Sequence, residues 1–250
     1  MALIQHQVGE LIYHTAENLD AIAEVAHGFS TRLGGVSTGA LASLNLRGAN
    51  VSGDAAEHVA ENYRRFCAAI GADHRRVVLS HQVHRDTVRV VTEADAGKGL
   101  YRERDYEADA LITNVSNLPL FVFSADCMVI LLCDPVAGCV GAVHAGWRGT
   151  AQEIVRKTVE RMAETFGARS ERLQAAIGAG IDRCCFETDR DVPEAIERAM
   201  GREAAPFLRR RGEKWLVDLK GLNRGQLELP GVPSEQLAVS EVCAACHPEL

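Results

Sequence analysis

Two apolar runs joined by a turn constrain this chain most. Ser124 to Thr150 reads "SADCMVILLCDPVAGCVGAVHAGWRGT". Met128–Cys133 and Cys139–His144 read as buried β-structure, and "DPVAG" between them supplies hairpin-like punctuation. An Asp-Cys pair, Asp126 and Cys127, interrupts the apolar character ahead of the first run, and His144 ends the second. A core would take Val or Leu at such places, so these three polar side chains ask for a chemical reason.

The chain has 250 residues, 47% of them apolar and 24% charged, with a formal net charge of -7. That balance argues against a general nucleic-acid binder, which carries a basic domain or stripe. It leaves open a small anionic substrate held by one or two arginines. "MALIQHQVGELIYHTAENLD" lacks the basic start and apolar run of a secretory signal. The most apolar region is broken by Asp126, Asp134 and Pro135 before the ~20 residues a membrane span needs. Eight cysteines without an export signal point to a reducing compartment, so the expectation is a cytoplasmic protein with neither membrane nor nucleic-acid partners.

No repeat, low-complexity tract or Pro/Gly/Ser-rich linker divides the sequence, and one domain over residues 1–250 is the simplest expectation. Three helices are predicted. The first begins with Asp54 as cap and Glu57 three residues on, and ends at Gly71. The second begins with a capping box of Thr150 and Glu153, carries Ile154, Val155, Val159, Met162 and Phe166 at helical spacing, and stops at Gly167. The third has Asp191 as cap and Pro193 in its first turn. Strands are predicted at Arg76–Ser80, Thr87–Thr92, Ala110–Thr113, Leu120–Ser124, Met128–Cys133, Cys139–His144, Gln174–Ile177 and Trp215–Leu219. Many short strands precede the middle helix, which favours an α+β fold over a regular strand–helix alternation.

Cys127 and His144 lie at facing ends of the two apolar runs, and a hairpin return could bring both to one sheet end. His84, in "SHQVHRDTVRV", is a third donor between two strands, with His81 three residues earlier. Two imidazoles and a thiolate suit zinc, and three protein ligands leave a coordination position open for water or substrate. Each residue alone also has a plainer role, Cys127 as a small core residue and His144 as a hydrogen-bonded strand end. Asp126 must be paired or solvated; beside a metal ligand it could orient a histidine or relay a proton.

Glycine-rich segments add a second set. "HGFSTRLGGVSTG" holds Ser30, Arg32, Gly34, Gly35 and Gly39, a combination that binds an anion through backbone N–H groups and a guanidinium or that simply forms a surface turn. In "HAGWRGT", Arg148 precedes a helix start that would favour negative charge, although it could equally hold backbone carbonyls. "IGAGIDRCCFE" reads as a tight loop near a pocket, with Cys184 and Cys185 packed rather than bonded. "CAACHPEL" contains C-x-x-C-H, the c-type haem attachment motif, but no export signal or placed axial methionine accompanies it.

Together, "HGFSTRLGGVS", "SLNL", "QVH", "ADALIT", "ADC", "VGAVHAGWRG", "IGAGIDRCCFE" and "VCAACHPEL" resemble, in one order from about His27 onward, the YfiH-like laccase-domain family. Its members carry both polyphenol oxidase and purine nucleoside phosphorylase names. The resemblance implies an α+β fold of mixed β-sheets flanked by helices, similar to the deamidase domain of cytotoxic necrotizing factor. It implies zinc on His84, Cys127 and His144, with copper as the alternative metal. It also implies phosphorolysis of adenosine, inosine and methylthioadenosine and deamination of adenosine, so the partners are a purine nucleoside and phosphate. Ala179, Asp182, Arg183 and Phe186 depart from the family's usual "IGPxIGPCCYE" loop, so this loop would close the pocket differently. The family normally continues with a strand and a "SYRR" segment, whereas this sequence stops at Leu250.

On this reading Ser30, Arg32 and the glycine-loop N–H groups hold phosphate, and Asp126 serves as acid or base. Arg148 is a further anion-binding candidate, and Asn45, in "LNL", contacts ligand or braces a loop, bracing being the favoured role. Zinc lowers the pKa of water to ~7 in open sites, which suits deamination. Two other enzyme classes compete. The first is a copper-dependent phenol oxidase; multicopper electron transfer needs many histidines at several centres, and this chain has nine with no H-x-H motif. A cysteine hydrolase or deamidase would use Cys127 as nucleophile and His144 as base, roles that a bound metal would block. A metal-binding protein without catalysis is the remaining class.

Overall fold

The computed structural model describes residues 1–247. In chain order the strands are β1 (Leu3–Val8), β2 (Leu11–Ala16), β3 (Phe29–Ser30), β4 (Val88–Val90), β5 (Ala110–Thr113), β6 (Met128–Asp134), β7 (Cys139–Ala145), β8 (Gln174–Ile177), β9 (Glu187–Thr188), β10 (Leu208–Arg211), β11 (Lys214–Val217) and β12 (Leu237–Val239). The helices are α1 (Glu17–Asp20), α2 (Ala49–Ser52), α3 (Ala56–Ile70), α4 (Trp147–Ala151), α5 (Ile154–Phe166), α6 (Asp191–Met200) and α7 (Leu219–Glu228). The fold is α+β, with mixed sheets and flanking helices.

A six-stranded sheet in the order β12-β8-β6-β7-β5-β4 forms the centre. Its inner pairs are antiparallel, while β12 with β8 and β4 with β5 run parallel. The near-continuous apolar character of β6 follows from burial on both faces. Side chains alternate along a strand, so Ile130 and Leu132 join the cluster formed with Ile154, Val159 and Met162 of α5. Leu131 and Cys133 point the other way, toward Leu19 of α1. A fully buried Ile or Leu contributes about 1.5–3 kcal/mol, so Ile130, Leu132 and Ile154 anchor the layer that carries the hairpin.

The β6–β7 turn is fixed by Asp134. Its fully buried carboxylate accepts the N–H groups of Val136 and Ala137, then the N–H of Arg169 from across the fold. The register that results, Met128 opposite Ala145 and Val129 opposite His144, sets the site at the far end of the hairpin.

α3 and α5 end at the glycines expected, Gly71 and Gly167, at φ 74 and φ 70. The starts differ from the sequence expectation. Asp54 does not cap α3, whose N-cap is Ala55; its carboxylate instead gathers Ser37, Asn45 and His58. No Thr150–Glu153 capping box forms. Thr150 lies inside α4 with its hydroxyl engaged by Asn223, and Glu153 takes a left-handed conformation, φ 59, that separates α4 from α5. Asp191 is the first helical residue of α6 rather than its cap. Arg76–Ser80 and Leu120–Ser124 are not strands; only the isolated bridge Val78–Leu120 joins them. The sequence expectation that concerns the chain end at Leu250 lies outside the described residues.

Candidate metal centre

Register builds the site. Pairing of Met128 with Ala145 puts Cys127, one residue before β6, opposite Gly146, one residue after β7. The hairpin therefore brings Cys127 beside His144. Pairing of β5 with β7 continues past Ala110–Val143 into a hydrogen bond from His144 N–H to the Asp109 carbonyl at 2.7 Å. Asp109 thus stands beside His144 at the same sheet end.

His84 arrives on a loop shaped by that aspartate. The Asp109 carboxylate accepts the N–H groups of Val83, His84 and Arg85, each at 3.0 Å. His84 has φ 58, a left-handed conformation that is uncommon for a side-chain-bearing residue. Three charge-assisted hydrogen bonds to one carboxylate offset that strain. Gln82 closes the same loop against the approach to Cys127: its amide donates to the Phe123 carbonyl at 2.8 Å and accepts the Phe123 N–H at 2.6 Å.

The result is one ligand atom each from His84, Cys127 and His144, all within 4.8 Å of one another. The two imidazole rings meet edge to face, with centroids 4.8 Å apart. His84 is exposed and His144 buried, so the group opens on one side. Gly146 has no room to spare: a Cβ there would sit 2.9 Å from Cys127 Sγ and 3.2 Å from His84 Cδ2.

His144 is oriented by its other nitrogen. Nδ1 lies 2.8 Å from Asp109 Oδ1, and because an ionised carboxylate only accepts, Nδ1 is the donor. That leaves Nε2 for a ligand. Burial opposes a charged imidazole, but hydrogen bonds to Asp109 and Cys127 outweigh it and push the His144 pKa up to about 9. Burial likewise opposes the Asp109 carboxylate, yet His144 and the N–H groups of Arg85 and Val83 hold it below the usual range. A histidine backed by a buried carboxylate is the arrangement metal-bound histidines use. Two imidazoles and a thiol with an open side fit a zinc-type centre, whose remaining position takes water or substrate.

The aspartate that orients the histidine is Asp109, not Asp126. Asp126 is exposed at the mouth, and its main-chain carbonyl accepts the Ile181 N–H at 2.7 Å. Sequence reasoning missed Asp109 and Gln82. The visible signal was the carboxylate of "ADALIT" at the head of a fully buried strand, which needs a buried partner. His81 is exposed and stands outside the ligand group.

Ser30, Arg32, Asn45, Asp126, Cys127, His84 and His144 line one wide cavity. Arg32 donates to the Ala42 carbonyl at 3.1 Å. Asn45 acts as a brace: its amide donates to Ser52 and Asp54, and its oxygen accepts the Arg47 N–H. Gly34 and Gly35 permit close backbone approach, since a Cβ would lie 2.1 Å from Leu11 Cα and 2.0 Å from the Ser43 carbonyl oxygen respectively. Arg148 does not line this cavity; its guanidinium lies 4.3 Å from the Trp147 ring centroid.

A family model described as multi-copper polyphenol oxidoreductase laccase matches residues 26–250. A purine nucleoside phosphorylase of Deinococcus radiodurans is 41% identical over 208 residues, which are 83% of this chain and 76% of that protein. Adenosine deaminase RL5, from an unknown prokaryotic organism, is 34% identical over 237 residues, 92% of this chain and 89% of that one. The crystal structure of YlmD from Geobacillus stearothermophilus superposes with a TM-score of 0.89 at 32% identity, covering 99% of this chain and 91% of that one. With its sequence matched over most of its length and its fold shared, the chain belongs to the YfiH-like laccase-domain family.

Proposed function

We propose that this chain is a zinc-dependent purine nucleoside enzyme that cleaves adenosine, inosine and methylthioadenosine by phosphorolysis and deaminates adenosine. The observation that carries this reading is the open, three-donor group of His84, Cys127 and His144 backed by the buried Asp109. The names of the Deinococcus relative and of adenosine deaminase RL5 support the two activities. Among the described residues, the groups able to hold a metal contain two histidines in all, which favours a single zinc over a multi-copper oxidase, with copper left as the alternative metal. Residues 1–250 act as one domain on this reading, in the cytoplasm. Among the described residues no helix is long and apolar enough to cross a membrane.

Zinc, when bound, supplies a Lewis acid that makes water a better nucleophile near neutral pH. The chain's own residues do the rest. Asp109 holds His144 in one tautomer and one orientation. Arg32 and Ser30 bind phosphate beneath the ribose, so that a phosphate oxygen bonds to C1′ as the bond to the purine nitrogen breaks. Asp126, exposed beside Cys127, delivers the proton that the leaving purine takes up, and in deamination it carries protons between water and the departing ammonia.

The test is product analysis. Zinc-loaded protein is incubated with adenosine, with and without phosphate, and the products are separated by chromatography. Adenine with ribose 1-phosphate, formed only when phosphate is present, establishes phosphorolysis; inosine formed without phosphate establishes deamination. Neither product from folded, metal-bound protein overturns the proposal.

A second reading rests on a specific observation. Asp109 holds His144 Nδ1 at 2.8 Å, and Cys127 Sγ lies within 4.8 Å of the same imidazole, the layout of an activated thiol nucleophile. A hydrolase or deamidase of this kind works without metal, so metal dependence separates the two.

A further inference from the structure

We propose that Cys184, Cys185, Cys243 and Cys246 form a second metal centre, a closed tetrathiolate site for one zinc ion that staples the carboxyl-terminal segment to the loop beside Cys127. All four sulfurs lie within 4.8 Å of one another. Cys185 and Cys246 are 3.3 Å apart, Cys184 and Cys185 3.7 Å, and Cys184 and Cys246 3.8 Å. A tetrahedron with zinc–sulfur bonds of about 2.3 Å has edges of roughly 3.8 Å, so the spacing suits a single ion. All four are free thiols, and no disulfide joins them.

The backbone around the cluster is organised for it. Cys243 to Cys246 is a tight turn in which the N–H groups of Cys246 and His247 both point to the Cys243 carbonyl at 3.1 Å. The Asp182 N–H donates to Cys243 Sγ at 3.3 Å, the kind of bond that supports a thiolate. A parallel bridge pairs Gly180 with Cys243, and Ala244 N–H donates to the Gly180 carbonyl at 3.0 Å. Lys220, only 6% exposed, donates to the Val242 carbonyl at 2.7 Å and to Asp182 at 3.2 Å. Four thiolates around a divalent ion carry net negative charge, and Lys220 sets a buried cation between the two segments that supply them. Sequence spacing concealed the site, because adjacent cysteines and a distant C-x-x-C do not follow the usual ligand pattern.

The staple reaches the first centre through the main chain. Ile181 N–H bonds to the Asp126 carbonyl at 2.7 Å, and Gly178 N–H to the Val129 carbonyl at 2.9 Å. The four-cysteine site is closed and lacks histidine, so its role is structural.

The test uses the Cys127→Ser variant, in which the first centre has no thiolate. The reduced, metal-free protein is titrated with Co2+ alone and then with Zn2+. The result expected is an intense thiolate-to-cobalt charge-transfer band with tetrahedral d–d bands, saturating at one equivalent and erased by zinc. Adding Cys243→Ser should weaken the band, with Cys185→Ser serving in its place if that variant does not fold, and replacing all four cluster cysteines with serine should abolish it. No charge-transfer band in reduced Cys127→Ser protein, or a band that keeps its full strength after the cluster substitutions, overturns the proposal.

Discussion

The Asp109 carboxylate accepts the Nδ1 proton of His144 at 2.8 Å and, with the same two oxygens, the N–H groups of Val83, His84 and Arg85. One buried side chain therefore aims two of the three ligand candidates. Asp109→Asn would set an amide N–H2 against existing donors. It should lower zinc affinity by about 10–100-fold and cost on the order of 3 kcal/mol of stability. Competition against a chromophoric chelator and urea denaturation measure the two effects. An affinity equal to wild type would show that Asp109 does not position the centre.

Gly146→Ala separates the metal centre from the fold. Its backbone, φ -71 and ψ 172, suits any residue, so the substitution introduces no backbone strain. The new methyl would press on Cys127 Sγ at 2.9 Å. The variant should keep its thermal midpoint to within a few degrees while the first centre loses most of its zinc, as counted by elemental analysis.

Much of the site was legible in the sequence, for a physical reason. Cys127 and His144 interrupt apolar runs where polar groups need partners, and a hairpin with antiparallel register can only bring such ends together. Asp109 was legible only as a carboxylate heading an apolar strand and in want of a partner. That His144 is the partner does not follow until β5 is known to pair with β7. β1 escaped notice because it is half exposed and mixes polar with apolar residues. The capping pattern at Thr150 and Glu153 misled because Asn223, distant in sequence, engages the threonine hydroxyl.

Asn45 and Arg32 should part company under mutation. Asn45 spends its side chain on Ser52, Asp54 and Arg47. Asn45→Ala should cost about 1–2 kcal/mol of stability and leave the KM for phosphate unchanged. Arg32→Ala should raise that KM by roughly tenfold or more, the loss of a charge-assisted contact. Steady-state kinetics with varied phosphate make the comparison.

Asp134 makes stability pH-dependent from the opposite end of the hairpin. Burial works against its carboxylate, but the N–H groups of Ala137, Arg169 and Val136 and the Arg172 charge hold its pKa below the ordinary 3.8. With a folded value below the unfolded one, the contribution is complete above that ordinary value and is lost as pH falls through the folded value. Urea denaturation between roughly pH 6 and pH 3 should show wild type well above Asp134→Asn at the high end. The gap should narrow toward the acid end.

The central claim is that turnover belongs to the metal held by His84, Cys127 and His144. The most direct measurement is adenosine turnover and zinc content on one preparation, as metal is withdrawn by a chelator and then restored. Activity should fall with zinc, return when zinc returns, and be absent from folded Cys127→Ala protein at every zinc level. Full turnover by the metal-free chain would contradict the claim.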